Sequence, residues 1–201
     1  MIRKTFVIFA ALACLFTAQA FALDTDYRPY MTIGGGVTLL EEKDLPGIDY
    51  TLSSDLGFNA LIGYGLEYRA GRVEFTADYR LADLDEVEDG SGVITDLNGD
   101  ISVAAFLMSI YYDFNRDGAI SPYFGGGIGI ANTRIEDNFL GDASDNAFAY
   151  QFGLGLTMNL SENTKLDLGY KLLGLAEPNL GQVDPNYFLF HNGNAAFRFV
   201  F

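Results

Sequence analysis

The 201-residue chain is 49% hydrophobic and 14% aromatic, with 23 glycines, 5 prolines, no tryptophan and a formal charge of −15. That length suits one ordinary domain. So acidic a balance argues against nucleic acid as a partner, because phosphate binding needs a basic patch.

Met1-Ile2-Arg3-Lys4 opens the chain and is followed by an apolar run from Thr5 to Phe16. Ala18-Gln19-Ala20 and Ala20-Phe21-Ala22 then both fit a small-x-small cleavage pattern. Together they read as a secretory signal peptide over residues 1–22, cleaved after Ala20 or Ala22. The run is too short for a membrane-spanning helix, which needs about 20 apolar residues. Cys14, the one cysteine, lies inside it behind Ala11-Leu12-Ala13, a poor lipidation box. The mature chain, 23–201, therefore has no thiol, which excludes disulfides and Cys-ligated metals. Loss of the two positive charges of Arg3 and Lys4 takes the formal charge from −15 to −17.

From Tyr30 the chain alternates. Met31, Ile33, Gly35, Val37 and Leu39 share one parity, against Thr32, Gly34, Gly36 and Thr38. Side chains of a strand point alternately to opposite faces, so this is one apolar face backed by a polar, glycine-rich one. An acidic gap from Glu41 to about Ser54 follows. The second strand sets Leu56, Phe58, Ala60, Ile62, Tyr64, Leu66 and Tyr68 against Gly57, Asn59, Leu61, Gly63, Gly65, Glu67 and Arg69. Past Ala70-Gly71, the third sets Val73, Phe75, Ala77, Tyr79 and Leu81 against Arg72, Glu74, Thr76, Asp78 and Arg80. This pair is the clearest hairpin in the chain.

A second acidic gap is expected from Ala82 to about Gly99. The fourth strand, about Asp100 to Phe114, carries Ala104, Phe106, Met108, Ile110 and Tyr112 on one face, while Val103 and Leu107 make the other face apolar as well. A tight turn at Asn115-Arg116-Asp117-Gly118 leads to the fifth strand, with Phe124, Gly126, Ile128 and Ile130 opposite Tyr123, Gly125, Gly127 and Gly129. After a third gap, Glu136 to Asn146, the sixth strand alternates Phe148, Tyr150, Phe152, Leu154, Leu156 and Met158 with small and polar residues. Ser161-Glu162-Asn163 turns into the seventh, Leu166, Leu168, Tyr170 and Leu172 against Lys165, Asp167, Gly169 and Lys171. A fourth gap, Gly174 to about Tyr187, precedes the last strand, which ends Ala196-Phe197-Arg198-Phe199-Val200-Phe201.

Eight strands of roughly 10–15 residues exceed the usual globular length of about 5–6 and suit the roughly 9–11 of a tilted membrane crossing. The gaps alternate long and short throughout, as in outer-membrane barrels, which have short periplasmic turns and long extracellular loops. Within strands the charges sit on the glycine-rich parity: Glu67, Arg69, Arg72, Glu74, Asp78, Arg80, Asp113, Lys165, Asp167, Lys171 and Arg198. They are nearly balanced in sign, as expected of an ion-pair network sealed in a lumen just wide enough for side chains. The apolar parity then faces lipid, and Tyr68, Tyr79, Tyr112, Phe114, Tyr150, Tyr170 and Phe201 lie where an aromatic girdle meets headgroups. The acidic excess falls on the long gaps, forming a negative extracellular rim.

The terminal Phe201, with Phe199 and Phe197 before it, resembles the closing strand of an outer-membrane β-barrel, where such aromatics are the family's assembly signal. The Ser121-Pro122-Tyr123-Phe124-Gly125-Gly126-Gly127-Ile128-Gly129 segment and Leu166-Asp167-Leu168-Gly169-Tyr170 are similar to the small OmpA-like and opacity-protein-like barrels. The resemblance implies an all-β, eight-stranded antiparallel up-and-down transmembrane barrel over 23–201, in a Gram-negative-type outer membrane with both termini periplasmic. It implies outer-membrane lipids as partners, the barrel-assembly machinery engaged through the last strand, and a host or surface ligand at the loops.

Chemistry is harder to find. His191-Asn192-Gly193-Asn194 invites comparison with the His-x-Ser-Asn motif of lipid A deacylases, but Gly193 stands where the nucleophile is required. By parity His191 faces outward near the outer interface. Asp96-Leu97-Asn98-Gly99-Asp100 spaces oxygens as a calcium loop does, yet its Gly comes a place early and the closing Glu is missing, so it reads as an acidic turn. The two Gly-Gly-Gly runs lack the helix and lysine of a phosphate loop. No catalytic residue, metal ligand or cofactor is assigned. The expected function is a non-enzymatic barrel acting as surface antigen, adhesin or envelope-structural protein; a narrow solute channel and a lipid A or phospholipid enzyme are the alternatives.

Overall fold

The computed structural model describes residues 27–41, 43–45, 50–54, 56–89, 94–116, 118–137, 143–176 and 187–201. The expected signal peptide with Cys14, and the proline-bearing stretch 177–186, lie outside these described residues.

The strands are β1 (Tyr27–Leu40), β2 (Lys43–Leu45), β3 (Tyr50–Ser54), β4 (Gly57–Tyr68), β5 (Gly71–Asp89), β6 (Ile94–Asp113), β7 (Ile120–Asp137), β8 (Ala143–Asn159), β9 (Thr164–Ala176) and β10 (Tyr187–Val200). Eight of them close into an antiparallel barrel in the order β1-β4-β5-β6-β7-β8-β9-β10. The seam runs from Tyr30↔Val200 to Leu40↔Phe190. At the seam the facing residues are small: Gly34 lies opposite Ala196, Gly35 opposite Ala195, and Val37 opposite Gly193.

At the end that holds both termini the connections are tight. Arg69 and Ala70 alone join β4 to β5, with Arg69 at φ 50°. Asn115 (φ 48°) starts the next turn and accepts a 2.9 Å hydrogen bond from the Gly118 amide. A Cβ at Gly118 would meet the end of the exposed Asn115 side chain, which would have to swing aside. The Ser161 hydroxyl caps the third turn by accepting from the Thr164 amide at 3.1 Å.

The opposite end differs from the sequence-based expectation. The gap expected at 41–54 contains β2 and β3, and the one expected at 82–99 is mostly strand, with β5 and β6 paired as far as Glu88↔Ile94. β7 likewise runs to Asp137 and β8 begins at Ala143. Asp96-Leu97-Asn98-Gly99-Asp100 is thus extended chain within β6, neither a calcium loop nor an acidic turn. Apolar alternation marks only the length of strand that faces lipid; beyond that belt the ladder continues without it, with one register shift between Leu84 and Glu86.

Every apolar parity read from the sequence points outward. Phe58 is 69% exposed, Ile130 65% and Phe152 64%, in a belt that runs around the barrel. So much apolar surface turned to water would be strongly unfavourable at about 25 cal/mol per Å², whereas in hydrocarbon it carries no such penalty. At the terminal end the belt closes on aromatic rings: Tyr27 stacks on Tyr68 at 4.5 Å, and Tyr112, Phe114 and Phe124 cluster within 6.1 Å. Toward the other end the outward residues of β7 and β8 change from Ile130 and Phe148 to Asn132, Arg134, Ser144 and Asn146, all exposed.

Phe152→Arg, in the middle of the belt, should therefore lower stability by about 2–4 kcal/mol. Asn132→Arg, above it, should change it by less than about 1 kcal/mol. Urea unfolding in phospholipid vesicles checks both values.

Candidate functional site

The second parity fills the lumen in two tiers. Nearest the termini is an ionic tier centred on Glu67 and Asp167. Glu67, fully buried on β4, lies 3.1 Å from Lys165 Nζ, 3.2 Å from Arg198 Nη1 and 3.9 Å from Arg28 Nη1, and also pairs with Arg116. Asp167 on β9 accepts from Arg198 Nη2 at 2.6 Å and the Thr157 hydroxyl at 2.5 Å through one oxygen. Its other oxygen accepts from Arg72 Nη1 at 3.0 Å and Arg198 Nε at 3.1 Å. Asp113 stands 3.5 Å from Arg72 and 3.8 Å from Arg198.

The Arg72 guanidinium is held between the rings of Tyr111 (4.4 Å) and Tyr123 (4.7 Å), and Arg198 lies over Tyr30 at 5.4 Å. Glycines make this possible. A Cβ on Gly65 would overlap the Tyr30 ring, and one on Gly155 or Gly169 would overlap Tyr123.

Above this cluster Glu74 accepts from the Thr32 hydroxyl at 2.8 Å. Glu74 and Lys171 border a small internal cavity of about 20 Å³, room for roughly one water. Higher still, Arg80 binds Asp78 at 3.0 Å and donates through Nε to Asn192 Oδ1 at 2.9 Å. Asn59 donates to the same oxygen at 3.1 Å, and Asn192 gives its own amide hydrogens to the carbonyls of Lys171 and Phe190. Asn192 is the boundary. Beyond it the lumen is mainly apolar, packed with Leu40, Ile101, Val103, Leu173, Leu175, Phe188 and Phe190 among alanines of β5, β6, β7 and β8, with Thr133 buried beside Val103.

Of the charged residues expected inside, Glu67, Arg72, Asp113, Lys165, Asp167 and Arg198 meet in one cluster. Asp78 and Arg80 form a second, with Glu74 and Lys171 beside the cavity between them. Arg69 does not belong. It falls on the turn rather than the strand, so its side chain is exposed and lies 5.0 Å from the Tyr68 ring. Arg28 and Arg116 take part instead. Sequence reasoning placed Arg116 in a turn and did not show that its chain folds back over the lumen mouth. Thr32, Asn59, Thr157 and Asn192 were recoverable, since all share the inward parity. Outside, His191 faces lipid and its Nδ1 lies 2.5 Å from the Tyr170 hydroxyl. Phe197, Phe199 and Phe201 point outward on β10 at the terminal end.

A closed antiparallel cylinder with an apolar exterior and a filled interior defines an integral membrane β-barrel. The chain belongs to the Outer membrane protein beta-barrel domain family, which matches residues 8–197, and its setting is an outer membrane. It is 24% identical over 102 residues to "Outer membrane protein PagN" of Salmonella typhimurium, a match over 46% of this chain and 43% of that protein. The chain thus aligns with less than half the length of that relative. Among solved structures it is similar to Neisserial surface protein A (TM-score 0.62, 16% identity, covering 86% of this chain and 97% of that one). It is also similar to OprG of Pseudomonas aeruginosa (TM-score 0.54, 18% identity, 87% and 97%). These likenesses are of fold.

The two lumen clusters differ in how many groups each arginine serves. Arg198→Met would leave Asp167, Glu67 and Thr157 without their shared donor in a buried site, and should cost about 3–5 kcal/mol. Arg80→Met leaves only Asp78 unpaired and should cost less. Urea midpoints and heat-modifiable gel migration of the two variants check the order.

Proposed function

We propose that the protein is a non-enzymatic barrel whose long-stranded end projects from the cell and acts there, as adhesin or surface antigen, while the barrel serves as a rigid, sealed base. The observation that carries this reading is the asymmetry of the two ends. Two-residue and other tight turns close the terminal end, and paired strands reach Glu88↔Ile94 at the other. Outer-membrane barrels keep short turns in the periplasm and long connections outside. Both termini then lie in the periplasm, with residues 1–22 acting as the export signal and Phe197, Phe199 and Phe201 presented to the assembly machinery.

The filled lumen supports a sealed base over a channel, because ionic and apolar tiers pack it among the described residues and the cavity beside Glu74 and Lys171 holds about 20 Å³. Against a hydrolase, the ring partner of His191 is the Tyr170 hydroxyl and Gly193 stands where the nucleophile is required.

Orientation is tested by surface labelling with a membrane-impermeant maleimide. Ser91→Cys should label in intact cells and Ala70→Cys only after permeabilisation; the reverse pattern would overturn the reading. Planar bilayers containing the protein should show no stable conductance steps. Lipid A from cells expressing His191→Ala should give the same mass spectrum as lipid A from cells expressing the unaltered protein.

A further inference from the structure

Between the two charged clusters of the lumen lies a pair that neither cluster absorbs. Glu74 on β5 and Lys171 on β9 are both buried. Among the described residues neither is in a direct ion pair, although Arg72, Arg80, Lys165 and Arg198 all are. Glu74 has the Thr32 hydroxyl as a donor at 2.8 Å, a neutral group that does not answer its charge. Buried charges so placed are strongly unfavourable unless something joins them. Both residues border the same internal cavity.

That cavity selects its own ligand. Its volume of about 20 Å³ admits one molecule the size of water and nothing larger. Arg72 and Lys171 border it on the positive side, Glu74 and Asp167 on the negative, so the formal charges of its wall cancel. Such a wall favours neither a bare cation nor an anion, and suits a neutral molecule that both donates and accepts. Asn194 on β10 also borders the cavity, and neither its amide nitrogen nor its amide oxygen has a hydrogen-bond partner. Both atoms are buried, and buried amides are seldom left so.

We propose that the cavity is a binding site for a single water molecule, which accepts from Lys171 Nζ, donates to the Glu74 carboxylate and has the Asn194 amide as a third partner. The bound water makes an ion pair of two side chains that do not touch. It also joins the clusters above and below. Arg72 and Asp167 of the lower one share the cavity wall, and the Lys171 carbonyl accepts from Asn192 of the upper one. The polar part of the lumen is then one hydrogen-bonded column. Enclosed by the ionic tier and the layer at Asn192, the water exchanges slowly with solvent.

The test is magnetic resonance on the full chain, isotope-labelled and folded in detergent micelles. The Asn194 side-chain amide should show a cross-relaxation peak at the water frequency, with the rotating-frame sign of a bound molecule rather than of proton exchange. Leu61 and Ala196 complete the cavity wall. Leu61→Phe fills the cavity and changes no polar group, so it should abolish that peak. It should also lower the water-oxygen relaxation dispersion by the amplitude of a single long-lived water. Ala196→Val narrows the same space, should give the same losses, and serves where Leu61→Phe does not fold. A peak that survives in a folded filling variant would overturn the proposal, as would no peak in the unaltered protein. So would a signal that changes when sodium chloride is exchanged for a salt of other ions, since the occupant would then be an ion.

Discussion

A backbone that crosses hydrocarbon finds no water for its N–H and C=O groups, so each must be met by a neighbouring strand. For this chain the requirement is satisfied only by the seam between β1 and β10, which removes the last open edge within the belt. The rest follows from closure. Eight strands leave a lumen about as wide as side chains are long. Whatever the inward parity carries must then fit against itself. Charges there cannot reach solvent, so Arg198 and Arg72 each serve more than one carboxylate, and glycine gives way wherever a tyrosine ring needs space.

The two tiers of the lumen follow different rules. In the ionic tier a cation removed leaves buried anions behind, and the energy of each pair depends on its partners staying in place. In the apolar tier Phe188, Phe190, Leu173 and Leu175 need only volume and dryness. Asn192 joins the two by spending its oxygen on Arg80 and Asn59 and its hydrogens on backbone carbonyls. A polar barrel interior is therefore only half the description of this molecule. The half nearer the long-stranded end is a small hydrophobic core enclosed by a membrane protein.

Much of this was legible in the sequence, and the failures have physical causes. Strict alternation assigned the faces of all eight barrel strands, because lipid outside and a crowded lumen inside punish the wrong parity. Alternation cannot show where a strand yields to a turn, so Arg69, one residue past the end of β4, was placed inside. Arg116 was missed for the converse reason, as a long side chain can return from a turn. The apolar tier was visible only as ambiguity: Val103 and Leu107 made both faces of β6 greasy, which is how a strand reads when each face meets an apolar medium. The strand continuations beyond the belt left no periodic trace, since outside the bilayer neither face is forced to be apolar.

The closing seam has a kinetic meaning. It joins the two strands farthest apart in sequence, so its pairing bears the largest loop-closure cost and belongs late in folding. Its facing residues are glycine and alanine over several positions, which offer few side-chain contacts to guide registration. Until those two strands meet, the nascent cylinder is an unclosed ribbon with two adhesive margins. The smoothness that lets the wall zip shut without steric obstruction also prolongs the interval in which a wrong neighbour could be captured.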